Sequence, residues 1–257
     1  MPLQEYISSF SNWKPNEYSG FEQQEVEYMP MLWGDGRAGK SDRNRLGLFR
    51  SMYGPSGTHK KPLPRVFIGF EEPDCEPGHG SSGVDVASAA RLWNELMVPL
   101  QRAGSLLVSP SMCTQRRETW LTPFEARIKS SWNITNVHIA ADNLDNVKLN
   151  IDYFATKYKR PLYVTEFVCA HREPVWTPCT SQKVINKFIY DVVAYFESDP
   201  RIAAYQFSQG EGLPYAWRLV DGSGSEATLT QTGIAYRNAI ANYAANRKKH
   251  IFLGLPL

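Results

Sequence analysis

Two apolar, β-rich runs each end in acid. "RVFIGF" (Arg65–Phe70) leads straight into Glu71-Glu72-Pro73-Asp74, and "LYVTEF" (Leu162–Phe167) carries Glu166 between Thr165 and Phe167. A strand with apolar flanks rarely keeps a lone carboxylate, because burying it unpaired costs several kcal/mol. Such an acid is paired, protonated or at work, and a salt bridge to a strand-end Arg or Lys is the plain alternative. Two carboxylates facing each other across a cleft could run glycoside hydrolysis. One, kept protonated, donates to the leaving oxygen, while the other attacks the anomeric carbon or activates water. A separation of ~5–5.5 Å gives retention and ~6.5–9.5 Å inversion.

A second pattern points elsewhere. Gly34–Ser41, "GDGRAGKS", satisfies G-x-x-x-x-G-K-[ST] letter for letter. In a phosphate-binding loop the glycine-rich amides cradle phosphates, the Lys reaches the outer ones and the Ser holds Mg²⁺. That geometry needs a central strand before the loop and a helix after it. The preceding run, "VEYMPMLW" (Val26–Trp33), contains Pro30, which lacks the N–H a central strand donates. The following stretch reads as a helix broken by Gly47, Gly54, Pro55 and Gly57. The expectation is a polar loop leaving a strand, with a nucleotide-binding protein as the remote alternative.

The elements that must position these residues alternate. Further β-rich runs are "YISSF" (Tyr6–Phe10), "SLLVSP" (Ser105–Pro110), "NVHIAA" (Asn136–Ala141) and "AAYQFS" (Ala203–Ser208). Between them lie helical patterns. Asp85 reads as an N-cap for a helix with Leu92, Leu96 and Leu100 inward, stopped by Gly104. Leu144, Val147, Ile151, Phe154 and Tyr158 mark a second. Ser181 reads as the cap of a third, with Val184, Phe188, Val192, Tyr195 and Phe196 inward, and "TQTGIAYRNAIANYAANRKK" forms a last one. Alternating strand and helix means α/β with a parallel sheet, and the strand count suggests a barrel. In an α/β barrel the strand C-termini carry the chemistry. Trp33, His138, Tyr205, Gln206 and Phe207 therefore join the two acids as strand-end candidates.

The totals narrow the class. The 257 residues suit one generous domain or two small ones. A net charge of +2 gives no sign of a nucleic-acid partner or an anionic membrane. No run of apolar residues is long enough to span a bilayer, and the first residues show neither the basic nor the apolar region of a signal peptide. Aromatic residues make up 12% of the chain, which fits core packing or a cleft whose rings lie against sugar C–H faces. Cys75, Cys113, Cys169 and Cys179 lack C-x-x-C spacing. Cys169 and Cys179 could close a loop, as could suit an oxidising compartment, and reduced cysteines fit equally. Asn133–Thr135 is a glycan acceptor triplet. No His, Cys and carboxylate cluster shows ligand spacing, so no metal or cofactor is implied. Asp221 and Glu226 read as solvated, Asp74 as a brace in its turn, and His171 and Arg172 as possible cleft edges without a role.

Taken in order, "EYMPMLWG", "IGFEEPD", "LLVSPS", "VHIA", "LYVTEF", "AAYQFS" and "ATLTQTGIAY" resemble glycoside hydrolase family 128, enzymes acting on β-1,3-glucan. The resemblance covers most of the chain, from Asn12 to Ala239. It implies a (β/α)8 TIM-type barrel with glutamates ending strands 4 and 7, hence Glu72 as acid/base and Glu166 as nucleophile of a retaining β-1,3-glucan hydrolase, endo or exo. Trp13, Trp33, Glu71, His138, Tyr205 and Phe207 would bind substrate. It further implies a β-1,3-glucan polysaccharide or oligosaccharide as partner, a monomer, and a secreted or cell-wall location. The chain would be one barrel domain over 1–246, with a tail, 247–257, of no evident role. Three departures stand out. Glu71 replaces the family's Asn, and His138-Ile139-Ala140 replaces "HWY". Nothing before "SSFSNW" matches a first strand, so that strand is expected to be absent or atypical, it and a leader falling outside this sequence. These departures motivate an alternative: a catalytically impaired β-1,3-glucan-binding protein on the same barrel.

Overall fold

The computed structural model describes residues 7–17, 26–58, 62–78, 80–171, 175–208, 213–222 and 226–246. Tyr6, Arg172 and the tail 247–257 lie outside them. The strands are β1 (Ser9–Phe10), β2 (Glu27–Tyr28), β3 (Val66–Ile68), β4 (Leu106–Val108), β5 (Thr135–Ala141), β6 (Leu162–His171), β7 (Thr177–Pro178), β8 (Ile202–Tyr205), β9 (Val220–Asp221) and β10 (Thr228–Leu229). The α-helices are α1 (Lys40–Tyr53), α2 (Val86–Leu92), α3 (Val98–Arg102), α4 (Leu121–Glu125), α5 (Leu144–Tyr158), α6 (Gln182–Ser198) and α7 (Gln231–Asn246).

The pairs β1–β2, β3–β4, β5–β6 and β6–β8 are all parallel. Single parallel bridges, Met31 to Ile68 and Val108 to Ile134, carry the ladder across the gaps. The result is an arc in the order β1, β2, β3, β4, β5, β6, β8, with helices between successive strands from β2 onward. Among the described residues no pairing joins β8 to β1, so the sheet is not closed. β7 folds back antiparallel on the end of β6, and β9 and β10 form a separate antiparallel pair.

Alternation along the strands sorts the core into two layers. Val66 and Ile68 point inward with Met29, Met31, Trp33, Val108, Ile134 and Tyr163. Phe67 points outward to the helices, in the larger layer that holds Trp93, Phe124, Phe154, Phe167 and Phe196. Burial on both faces explains why the strands read as nearly continuous apolar runs.

Two objections raised from the sequence do not hold. Pro30 lies in extended chain paired to β3. It contributes its carbonyl, which accepts from Ile68 N–H at 2.9 Å, while Leu32 N–H reaches Ile68 O at 3.0 Å, so the missing proline N–H is not needed. Gly47 does not break α1. A helical glycine costs only ~1 kcal/mol, and Phe49 and Tyr53 anchor the helix against Phe67. The helix stops at Gly54, whose N–H caps Arg50 O. A π turn over Trp93–Met97 joins α2 to α3. Pro99 offers no N–H and would crowd the carbonyl four residues back, and widening the turn relieves this. The Asp85 cap is present, accepting from Ser88 N–H, whereas Ser181 makes no side-chain cap. On α6 Phe188, Val192 and Phe196 are buried as expected and Ile185 and Ile189 join them, whereas Val184 is exposed.

Candidate active site

The site grows from an irregularity between β5 and β6. Val137 faces Val164, but His138 faces Glu166, so Thr165 is an extra residue on β6. A bulge of this kind breaks strict alternation and re-aims side chains. It lets Thr165 and Glu166 both turn toward His138. The Thr165 hydroxyl donates to Asn136 Oδ1 at 2.6 Å, and so accepts from His138 Nε2 at 3.0 Å. The other ring nitrogen, Nδ1, lies 2.9 Å from Glu72 Oε1. Burial pulls the imidazole pKa down, yet the charges of Glu71 and Glu166 and the bond to Glu72 outweigh it and push it up to about 10. His138 is therefore an imidazolium that donates from both nitrogens.

The turn after β3 supplies the two adjacent acids. Glu72 has a left-handed backbone, with φ of 42°. Its Oε2 accepts from Ser81 Oγ–H at 2.7 Å and its N–H donates to Ser111 Oγ at 3.0 Å. Glu71 goes the other way, into the floor, and is 3% exposed. Its N–H donates to Trp33 O at 2.9 Å, and Ser111 Oγ–H reaches its Oε2 at 3.4 Å. Burial holds its carboxyl well above the usual carboxylate range; His138 pulls the other way, and the charges of Glu166 and Glu72 add to the rise.

Glu166 is held at both oxygens. The Trp13 indole N–H donates to Oε1 at 3.1 Å and Ser208 Oγ–H to Oε2 at 2.9 Å. Trp13 sits at φ of 58°, a conformation uncommon for a bulky residue, and this aims its ring at the acid. Ligand-type atoms of Glu71, His138 and Glu166 all lie within 4.8 Å of one another. They do not suit a cation, because both His138 nitrogens are already donors. The neighbouring group of Asp74, Cys75 and Cys113 offers no thiolate, since the cysteines are joined to each other.

Other expected residues are placed differently. Trp33 is buried under the Arg45 guanidinium, 4.5 Å from its ring centroid. Tyr205 and Phe207 face the helix layer, away from Glu166. The Tyr205 hydroxyl donates to Glu197 Oε1 at 2.7 Å, and Phe207 packs on Phe167 and Trp217. Strand parity explains this: with Phe207 outward, Ser208 points in, and it is Ser208 that meets Glu166. The two-residue period of "AAYQFS" carried that signal. Ser81 and Ser111 lie in loops and left none. Asp74 does brace its loop, accepting from Cys113 and Thr114 N–H at 2.9 and 3.1 Å. His171 pairs with Asp142 at 3.1 Å, at the edge of a pocket of about 270 Å³ that Ala140 and Ala170 also line. Asp221 and Glu226 are exposed.

The phosphate-loop pattern does have strand, loop and helix in order. Its cradle is filled from within. Asp42 is 1% exposed, and its Oδ2 accepts from Ala38 N–H at 3.0 Å. A β-carbon added at Gly34 would stand 2.5 Å from Asp42 Oδ1. The chain's own carboxylate occupies the space an anion would need.

The chain matches the family model of the glycosyl hydrolase catalytic core over residues 3–236. Within that class it belongs to glycoside hydrolase family 128. A subgroup VII oligosaccharide-binding protein of this family from Cryptococcus neoformans is 40% identical, with a TM-score of 0.83 over 94% of this chain and 90% of that one. A subgroup VII oligosaccharide-binding protein from Trichoderma gamsii is 36% identical, with a TM-score of 0.85 over the same shares, 94% and 90%. A subgroup II endo-β-1,3-glucanase from Sorangium cellulosum is 25% identical, with a TM-score of 0.68 over 92% of each chain. A comparison with curated proteins gives no match.

Proposed function

We propose that this protein binds β-1,3-linked gluco-oligosaccharides at the glutamate cluster and hydrolyses them poorly or not at all. One observation carries the reading: both oxygens of Glu72 are acceptors, one from the His138 imidazolium at 2.9 Å and one from Ser81 at 2.7 Å. A general acid must present its own proton to the leaving oxygen. Glu72 instead accepts from a donor at each oxygen, which suits an anchored carboxylate. The similarity to two oligosaccharide-binding proteins supports the same conclusion. Trp13, Glu71, Glu72, His138 and Glu166 would form the polar floor. The parallel arc is read as part of a (β/α)8 barrel, and the disulfides Cys75–Cys113 and Cys169–Cys179 favour a secreted or cell-wall location.

A second reading, retaining hydrolysis, has a specific observation in its favour. Glu166 and Glu72 both survive, and they stand on either side of His138. Glu166, oriented by two donors, would attack the anomeric carbon, and Glu72 would protonate the leaving oxygen and then deprotonate water.

Calorimetric titration with laminaritriose to laminarihexaose, followed by chromatography of the same samples, tests both. Saturable binding without product supports the proposal. Product that Glu166→Gln and Glu72→Gln each abolish supports the hydrolase. Neither binding nor product refutes both.

A further inference from the structure

Glu71 is a buried acid in the floor of the site. The charged and titratable groups facing it are Glu72 beside it in the chain, His138 on β5 and Glu166 on β6. None neutralises it directly. His138 Nε2 is 3.9 Å away, and its proton is committed to Thr165. The contact from Ser111 is long, at 3.4 Å. An ionised carboxylate so placed would be a third anion around one imidazolium, without close donors of its own. A carboxylic acid there is neutral and has an O–H to give.

The spacing to Glu166 says where that O–H can be used. Oxygens of Glu71 and Glu166 lie within 4.8 Å of each other. A hydroxyl inserted between two oxygens, with bonds of ~2.7–2.8 Å at a tetrahedral angle, bridges roughly 4.4–4.6 Å. Two oxygens no more than 4.8 Å apart can therefore both be reached by one hydroxyl, accepting on one side and donating on the other.

We propose that Glu71 is a ligand-reading residue that works as a neutral acid, donating its proton to a sugar hydroxyl that in turn donates to Glu166. The bound hydroxyl then completes a chain from the Glu71 O–H to the Glu166 carboxylate. Burial of Glu71, which holds its carboxyl protonated, is what makes an acid usable as a donor at neutral pH. The role as a ligand contact rests on the binding reading above; the placement of the proton does not.

Two measurements separate these. Infrared difference spectra of the unliganded protein at neutral pH should show the C=O stretch of a protonated carboxylic acid, absent in Glu71→Gln. Calorimetric titration with laminaritriose should show affinity falling as pH rises through the loss of that band. Glu71→Gln, which keeps a donor, should bind within a few-fold of the parent and lose this pH dependence. Glu71→Met, which has none, should bind at least about tenfold more weakly. A missing band, or a band unchanged in Glu71→Gln, overturns the protonated acid. Equal pH profiles for the parent and Glu71→Gln, or equal affinity for Glu71→Met, overturn the donor role. A normal band with no binding at any pH overturns the oligosaccharide-binding reading and the donor role together, while leaving the proton on Glu71.

Discussion

His138 and Glu72 form an ion pair in the floor of the site, with Nδ1 2.9 Å from Oε1 and the imidazole side chain 5% exposed. The pair ties β5 to the turn after β3, and it sets the imidazolium against the charges of Glu72 and Glu166. Removing that cation leaves buried carboxyls facing one another. His138→Gln, close in size but uncharged, should cost about 3–5 kcal/mol at neutral pH. The midpoint of urea unfolding reads this, and an unshifted midpoint would show that the acids are not held by the imidazolium.

The same pair fixes the pH dependence of stability. The folded-state pKa of His138 is raised from 6.5 to about 10, so its contribution is complete below 6.5 and is lost as pH climbs through 10. Glu71 acts in the same sense, because the folded chain keeps a proton that an unfolded carboxyl gives up near 4.5. Both make the folded state bind more protons than the unfolded one, and stability then falls with rising pH. Urea unfolding from pH 6 to pH 10 should show a declining free energy, by at most about 1.4 kcal/mol per pH unit for each proton. A flat profile over that window would falsify the imidazolium.

Thr165 holds His138 from the other side. Replacing it with Val keeps the shape and removes the hydroxyl, leaving His138 Nε2–H and Asn136 Oδ1 without their partner. A cost of about 1–3 kcal/mol is expected for buried groups orphaned in this way. If the bulge exists to aim this residue, Thr165→Val should also weaken laminaritriose binding more than an equally destabilising substitution in the outer layer. Affinity compared at matched stability decides the point.

Much of this site was legible in the sequence. Glu71 and Glu72 follow one apolar run, and His138 and Glu166 lie within β5 and β6, where an unexplained polar residue is itself the signal. What escaped depends on contacts that local pattern does not encode. The bulge at Thr165 appears only when β5 and β6 are paired, and it changes which side chains share a face. Parity could have replaced Phe207 by Ser208, since one residue's difference decides between the core and the acid. Ser81 reaches Glu72 from a loop nine positions on, and no periodicity marks it. The fold was legible as alternating strand and helix. Gly47 and Pro30 misled because propensity costs about 1 kcal/mol or concerns a donor the ladder never asked for, while packing of Phe49 and Tyr53 decides more.

The false phosphate loop makes its own prediction. Asp42 closes the cradle from inside, so ATP and GTP with Mg²⁺ should give no heat of binding, and Lys40→Ala should leave oligosaccharide affinity unchanged. Asp42→Ala opens the loop and orphans the Ala38 amide, with an expected loss of about 1–3 kcal/mol. Saturable nucleotide binding by the parent would show that Asp42 yields to phosphate.

The two disulfides should separate stability from binding. Cys169–Cys179 closes a step of 10 residues at the end of β6, and Cys75–Cys113 spans 38. Loop entropy alone gives about 2.7 kcal/mol for the short link and about 3.9 for the long one. Position adds a second difference. Cys75 lies three residues past Glu72 and Cys113 two past Ser111, so the long link clamps the turn whose N–H and hydroxyl contacts set both acids. Replacing Cys75 and Cys113 together by Ser should lower the melting temperature and also weaken laminaritriose binding at temperatures where the protein stays folded. The Cys169 and Cys179 double replacement should lower the melting temperature with a smaller change in affinity. Equal losses of affinity in both would mean that the turn after β3 is held by its packing and its serine contacts, and that the long link serves only the unfolded chain.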